Sequence, residues 1–233
     1  MFLTAPNILC KHGFSTRDGG FSAAPFASLN LGGSDDDLSI ISKNRNKALE
    51  YFGYSKNQHC FLKQVHGNKV VLAQPGQQEG DAIITNIPGL AITVSAADCY
   101  PILFFDGKNN IIGAAHAGWR GTVSRIASNT INEMINLGAE LNQIKVAIGQ
   151  GISCDKFEVG NEVIDKFMKE KFPESIILNN KIDLLEANKF VLDEVGILKE
   201  NIWSLNRCTF EKDFFSYRRD KGVTGRMWGL IGL

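Results

Sequence analysis

Three short segments of the chain hold residues suited to binding a soft or borderline metal ion: "KQVHG" with His66, "SAADCYP" with Cys99 and "GAAHAGWRG" with His116. Imidazole nitrogen and thiolate sulphur are the donors zinc prefers. Three such ligands with a fourth position left open make a catalytic site rather than a structural one. The spacing alone does not decide the matter, because the chain has neither an H-E-x-x-H helix nor a C-x-x-C pair. Cys99 reads equally as an inert buried thiol, and His66 as a turn histidine bonded to backbone. A metal-free reading uses the same groups, with Cys99 as nucleophile and His116 or His66 as its base. Asp98, next to Cys99, either orients a histidine, serves as general base, or accepts backbone N–H bonds at a strand end.

The setting of His116 is unusual in a chain with four histidines, since its neighbours over 113–121 are almost all alanine and glycine. Small residues there predict a void, and a void has a use only if a metal and a ligand enter it. Arginines supply the second type of candidate. Arg17, Arg120, Arg218, Arg219 and Arg226 lie in glycine- or aromatic-rich contexts rather than on charged helix faces. A guanidinium grips phosphate or carboxylate with two parallel hydrogen bonds, so several in one cleft would suit an anionic substrate. Singly, each reads as a surface or ion-pair residue. No G-x-G-x-x-G follows a strand and no P-loop is present, which leaves a dinucleotide or ATP site unsupported.

These groups need elements to hold them. Strands are predicted over 69–73, 90–96, 101–106, 111–117, 145–149 and 202–205, with "GKNN" (107–110) as a hairpin connection. Ile40, Ile41, Ala48, Leu49 and Phe52 predict a helix over 39–52 that Gly53 ends. A second helix starts at Thr122 as its cap, carries Val123, Ile126, Ile131 and Met134, and closes at Gly138. Two more fall over 161–172 and 183–195. Residues 12–38 read as irregular chain with short strands, 74–80 as a surface loop, and the apolar tail over 214–233 as ordered. The sum is one mixed α/β domain, of α+β class, spanning 1–233.

Composition narrows the function classes. With 25 basic and 25 acidic residues the net charge is zero, which argues against a general nucleic-acid binder. Apolar stretches such as 89–97 are too short to span a bilayer, and the N-terminus lacks the basic n-region of a secretion signal. Five scattered cysteines, an odd number, predict no disulfide framework and place the chain in a reducing cytoplasm.

Taken together and in order, "HGFSTRDGGFS", "LKQVHGNKVV", "DAIITNIPGLAITVSAADCYPILFFD", "GAAHAGWRGTV", "AIGQGISCDKFEVG" and "FFSYRRDKGVTGR" resemble the YfiH family, also called laccase-domain or multicopper polyphenol oxidoreductase proteins. The resemblance runs from about His12 to the C-terminus. It implies mixed β-sheets sandwiched between helices, similar to the cysteine-hydrolase domain of a deamidating toxin. It places the family's metal triad on His66, Cys99 and His116, with one zinc per chain and copper as the alternative ion. Arg17 and the group Arg218, Arg219 and Arg226 fall in segments of the family that border its cleft. One departure is "ISCDKFEV", where many relatives carry a "GPCC"-like segment, so Cys154 has no clear counterpart.

The activities implied are three. One is zinc-dependent work on purine nucleosides, namely phosphorolysis of adenosine, inosine and methylthioadenosine and deamination of adenosine, with Arg17 and Arg219 holding phosphate and Asp98 assisting proton transfer. Another is a cysteine or zinc amide hydrolase that edits peptidoglycan precursors. The third is a copper-dependent polyphenol oxidase. A laccase needs several coppers, and beyond the triad only His12 and His59 remain, so the sequence disfavours it. Water activation and Lewis-acid chemistry suit one His–Cys–His site better.

Overall fold

Strands covered on both faces read as unbroken apolar runs, because neither alternate set of side chains meets water. The runs "PILFFD" and "IIGAAHA" are of this type, and both are buried along their whole length. A computed structural model describes residues 1–33 and 35–233 of the chain, so Ser34, within the irregular stretch over 12–38, lies outside the described residues. In chain order the elements begin with β1 (Phe2–Leu3), β2 (Lys11–Ser15), α1 (Leu38–Tyr51), β3 (His59–Lys63), β4 (Val70–Leu72) and β5 (Gly76–Glu79). Next come β6 (Ala82–Thr85), β7 (Ala91–Ala96), β8 (Tyr100–Asp106), β9 (Ile111–Ala117), α2 (Trp119–Val123) and α3 (Ile126–Asn136). The remainder is β10 (Ile144–Ile148), α4 (Asn161–Lys169), β11 (Ile177–Leu178), β12 (Lys181–Ile182), α5 (Leu184–Glu194), β13 (Ile202–Ser204) and β14 (Met227–Gly232).

Two mixed six-stranded sheets form, one in the order β1-β2-β14-β7-β3-β5 and the other β13-β10-β8-β9-β6-β4. Period-two alternation sends Leu103 and Phe105 of β8 toward the first sheet, where they meet Phe14, Ile92, Val94 and Ile231. Their neighbours Ile102 and Phe104 face the opposite way, onto Ile126, Ile131 and Met134 of α3 and Val191 of α5. On the far side of the first sheet, Trp228 and Leu230 pack under Ala48 and Leu49 of α1. The result is helix, sheet, sheet, helix: the predicted α+β class and the sandwich of mixed sheets. No helix among the described residues is long and apolar enough to cross a membrane.

The β8–β9 hairpin closes through "GKNN" as the sequence predicts, with Asp106 opposite Ile111 and Asn110 at φ 52°. Gly53 (φ 78°) and Gly138 (φ 110°) follow α1 and α3 in the left-handed region that terminates helices. Two expectations are corrected. Thr122 caps nothing: α2 begins at Trp119 after Gly118, and the Thr122 hydroxyl donates to the Gly118 carbonyl at 3.0 Å. Residues 74–80 are not only a loop, since Gly76–Glu79 form an edge strand parallel to β3. Its polar side chains hid it, because backbone pairing and polar bonds such as Lys63–Glu79, rather than apolar burial, hold it there. The tail holds the strand β14, which runs between β2 and β7 inside the first sheet.

Candidate metal centre and cleft

The three adjacent strands β7, β3 and β5 run parallel in the first sheet, so their C-terminal ends lie at one edge. From each end the chain crosses to the second sheet. The crossing after β3 carries His66, the one after β5 carries Asp81, and the one after β7 carries Asp98 and Cys99. From the second sheet, β9 brings His116 alongside, its amide donating to the Asp81 carbonyl at 2.8 Å. Residues scattered over fifty positions thereby share one seam between the sheets. The donor atoms of His66, Cys99 and His116 lie within 4.8 Å of one another.

Asp81, absent from the sequence-based candidates, organises this cluster. It is fully buried. Its Oδ1 accepts from the His66 amide at 2.9 Å and lies 3.0 Å from His116 Nδ1. Its Oδ2 accepts from the amides of Gly67 at 2.7 Å and Val65 at 3.2 Å. A carboxylate on Nδ1 fixes the imidazole with a proton there and leaves Nε2 for a ligand, the usual support of a metal-bound histidine. Burial would raise the Asp81 carboxyl, but the His116 and backbone hydrogen bonds outweigh it and hold it below the ordinary range. The one signal in the sequence was a lone acid heading an apolar strand, "DAIIT".

Cys99 is shifted strongly. Burial alone would raise the thiol; the His116 charge, with hydrogen bonds from His116 and His66, overrides that and brings it down to about 6. His116 moves the other way, because the Cys99 sulphur and Asp81 favour its cation more than burial opposes it. Thiolate and imidazole are the forms a metal binds.

The small residues about His116 have several jobs, and the expected void explains only one of them. A Cβ on Gly118 would stand 2.7 Å from Cys99 Sγ, so glycine there clears the cluster. Gly113 instead admits α3, where a Cβ would press Met134 Sδ at 3.0 Å, and Gly121 admits the His66 turn, where it would meet the Gly67 carbonyl at 3.1 Å. Ala114 packs between the sheets, while Ala115 and Ala117 face the helices.

A cleft of about 640 Å³ opens over the cluster, lined by His66, Asp98, Cys99 and His116. Phe61, Phe157, Tyr217 and Trp228 give it aromatic walls, and Arg45, Arg218 and Arg226 give it positive charge. Arg45, on α1, was not among the sequence-based candidates; it sits on what reads as an ordinary polar helix face. Arg120 stacks on Trp119 at 4.3 Å and borders a neighbouring depression that shares His66.

Besides Arg120, two further arginine candidates are not among the residues that line it. Arg17 donates Nε to the Ala27 carbonyl at 2.8 Å and lies over the Phe215 ring. Arg219 commits all its donors: a bidentate pair with Asp220 and bonds to the carbonyls of Thr209, Glu211 and Phe214. It has nothing left for a phosphate. Asp98 is engaged too. Its Oδ1 accepts from the hydroxyls of Thr209 at 2.6 Å and Ser216 at 2.7 Å, and its Oδ2 accepts from the Arg218 amide at 2.6 Å. These bonds tie the segment leading to β14 to Asp98, which also lines the cleft. Cys154 lies in a short turn, its thiol raised chiefly by burial, and does not line the cleft.

Comparisons with known proteins bear on the family and the fold. The family profile described as multi-copper polyphenol oxidoreductase laccase matches residues 11–233. A purine nucleoside phosphorylase of Deinococcus radiodurans is 44% identical over 99% of this chain and 92% of its own. An adenosine deaminase, RL5, from an unknown prokaryotic organism is 34% identical over 79% of this chain and 78% of its own. The crystal structure of YlmD from Geobacillus stearothermophilus superposes with a TM-score of 0.91 at 32% identity, covering 98% of this chain and 93% of that one. By profile, relatives and fold alike, the chain belongs to the multi-copper polyphenol oxidoreductase laccase family, the YfiH family.

Proposed function

We propose that the protein is a zinc-dependent purine nucleoside enzyme. It would cleave adenosine, inosine or methylthioadenosine with phosphate and deaminate adenosine to inosine. The observation that carries this reading is the convergence of two imidazoles and one thiolate beneath a cleft with aromatic and arginine walls. Relatives named as phosphorylase and deaminase support it. The donor set suits zinc: His116 is held in one tautomer by Asp81, and Gly118 keeps space beside Cys99. Copper favours the same ligands and remains the alternative ion.

When bound, the metal would supply Lewis acidity at one substrate atom. The chain's own residues do the rest. Tyr217 and Phe157 offer faces for a purine to stack on. Arginines neutralise the phosphate, whose oxygen forms a bond to the ribose C1 as the bond to the base breaks. The base leaves with that electron pair and takes up a proton, giving ribose 1-phosphate. Asp98 acts by holding the segment that carries Tyr217 and Arg218, not by moving a proton.

Multicopper oxidation fits less well. His12 is bonded to the Ala5 amide and lies 2.8 Å from the Cys10 carbonyl, and His59 is bonded to Thr93. Among the described residues no second group of metal-ligating side chains comes together. The amide-hydrolase reading, with a peptidoglycan precursor as substrate, has an observation in its favour. Cys99, His116 and Asp81 stand in the order thiolate, imidazole, carboxylate, the arrangement of a thiol nucleophile with an oriented base. It is also what a likeness to the deamidating-toxin domain would require. The five unpaired cysteines support a cytoplasmic setting.

One experiment separates these readings. Protein purified without added metal is assayed for zinc and copper, then incubated with adenosine and phosphate. Near one zinc per chain, with adenine, ribose 1-phosphate or inosine formed and all lost in Cys99→Ala, upholds the nucleoside reading. Bound zinc without nucleoside turnover sinks it. Amide hydrolysis that survives metal removal but not Cys99→Ala would establish the thiol mechanism instead.

A further inference from the structure

Arginines buried in proteins are normally matched by a carboxylate, because an unpaired cation taken from water is costly. Arg125, Arg207 and Arg219 follow that rule, each paired with Glu or Asp. Arg17, away from the cleft, departs from it, and so do Arg45 and Arg226. Both are partly buried and line the cleft, and neither has a carboxylate in ion-pair reach among the described residues. Burial pulls both guanidinium groups below their usual range.

Their hydrogen bonds fix them in place without exhausting them. Arg45 donates Nε to the Leu31 carbonyl at 2.8 Å, and Arg226 donates Nη1 to the carbonyls of Thr224 at 2.8 Å and Gly225 at 3.0 Å. Of the five N–H donors each guanidinium owns, most remain for a ligand. Aromatic rings pack against both: Arg45 lies over Phe61 at 5.3 Å and Trp228 at 5.9 Å, and Arg226 over Tyr217 at 5.7 Å. Gly32 allows Arg226 its course, for a Cβ there would strike Arg226 Cβ at 2.4 Å. Arg218 is a different case, exposed and bonded to the Glu158 carbonyl.

We propose that Arg45 and Arg226 form a preorganised seat for a phosphoryl group, filled by inorganic phosphate or by the phosphate of a nucleotide. The seat deepens the nucleoside reading by giving its second substrate a place in the cleft that Cys99 also lines, and it rests on that reading only for the part concerning turnover. Two partly buried guanidiniums that line one cleft with donors to spare match the several acceptor oxygens of a multidentate anion.

The test has a binding arm and a turnover arm. Thermal unfolding of the wild-type chain, Arg45→Met, Arg226→Met and Arg45→Lys is followed in phosphate, in adenosine 5′-monophosphate and in chloride of equal ionic strength. Phosphate or the nucleotide should raise the wild-type midpoint above its value in chloride. Each Met variant should lose that rise, and Arg45→Lys should keep part of it. A rise with phosphate identifies the free anion as the occupant, and a rise with the nucleotide alone identifies the ester. In the turnover arm, each Met variant should raise the KM for phosphate at least tenfold, and should shift product from adenine toward inosine at least tenfold. A wild-type rise that both Met variants retain, or no rise with either ligand, overturns the seat. An absence of nucleoside turnover in the wild type beside an arginine-dependent rise would overturn the nucleoside reading and leave the seat standing.

Discussion

At the scale of single residues, the site depends on Asp81 as much as on the three donors. Its two oxygens face only N–H groups: His116 Nδ1 and the amides of His66, Gly67 and Val65. Asp81→Asn would turn an NH2 toward donors that cannot accept from it, freeing both the His66 turn and the His116 ring. Zinc affinity should fall by roughly 10–100-fold, measured by competition with a chromophoric chelator, and unchanged affinity would deny Asp81 this part. Gly118→Ala makes a steric test of the same centre. The added methyl would lie 2.7 Å from Cys99 Sγ, closer than real contacts allow, so the sulphur must move. Bound zinc should drop below half of the wild-type stoichiometry while the far-UV circular dichroism stays native. Full metal occupancy in this variant would show that the cluster has slack the distances do not suggest.

At the scale of elements, function follows from where the chain changes sheets. Parallel strands β3, β5 and β7 end together, and each crossing drops at least one working residue at the seam. Local patterns made His66, Cys99 and His116 legible one at a time, since glycine, alanine and turn residues frame each of them. Strand order is not a local property, so nothing in "EGDAII" could show that Asp81 would meet His116, thirty-five positions on. Arg45 escaped notice for a related reason: on a helix it looks like any exposed cation until α1 is laid over Phe61 and Trp228. The polar edge strand β5 was hidden because backbone pairing and polar side-chain bonds hold it rather than an apolar pattern, whereas the apolar hairpin β8–β9 announced itself. The arginines of the tail looked alike in sequence, and only their carbonyl partners separate the clamp Arg219 from the cleft residues Arg218 and Arg226. If Arg219 clamps this segment, Arg219→Met leaves three carbonyls and Asp220 short of partners. It should cost roughly 3 kcal/mol, about 1 kcal/mol for each of the three carbonyl bonds, because the half-buried Asp220 can turn to water. Proteolysis should then concentrate between residues 205 and 226, and the KM for nucleoside should rise because Tyr217 and Arg218 ride on this segment. Proteolysis spread evenly along the chain would mean that Arg219 supports the fold at large.

For the whole molecule, acid is the condition that tests how the first sheet is sealed. His59 and His12 are both buried in it, in β3 and β2. Burial, aided by the nearby Arg45 charge, pushes His59 down to about 3, and burial lowers His12 as well despite its backbone bonds. An unfolded chain protonates these rings near pH 6.5. Between that value and about 3, the unfolded state therefore holds a proton at His59 that the native state refuses. Stability must fall as pH drops through this window, by about 1.4 kcal/mol per pH unit for one fully shifted histidine. Carboxylates add their own slope below pH 5, so the wild type alone does not isolate the effect. His59→Gln keeps a partner for Thr93 and removes the titration. Between pH 6 and pH 5, denaturant unfolding of the variant should lose stability less steeply than the wild type, the two slopes differing by about 1.4 kcal/mol per pH unit. Equal slopes would mean that water or an adjusted Arg45 reaches His59 in the native state, and that the layer between α1 and the first sheet is more open than its packing indicates. The same layer holds Arg45 against Phe61 and Trp228, so the slope also reports whether the cleft wall is as rigid as a preorganised arginine requires.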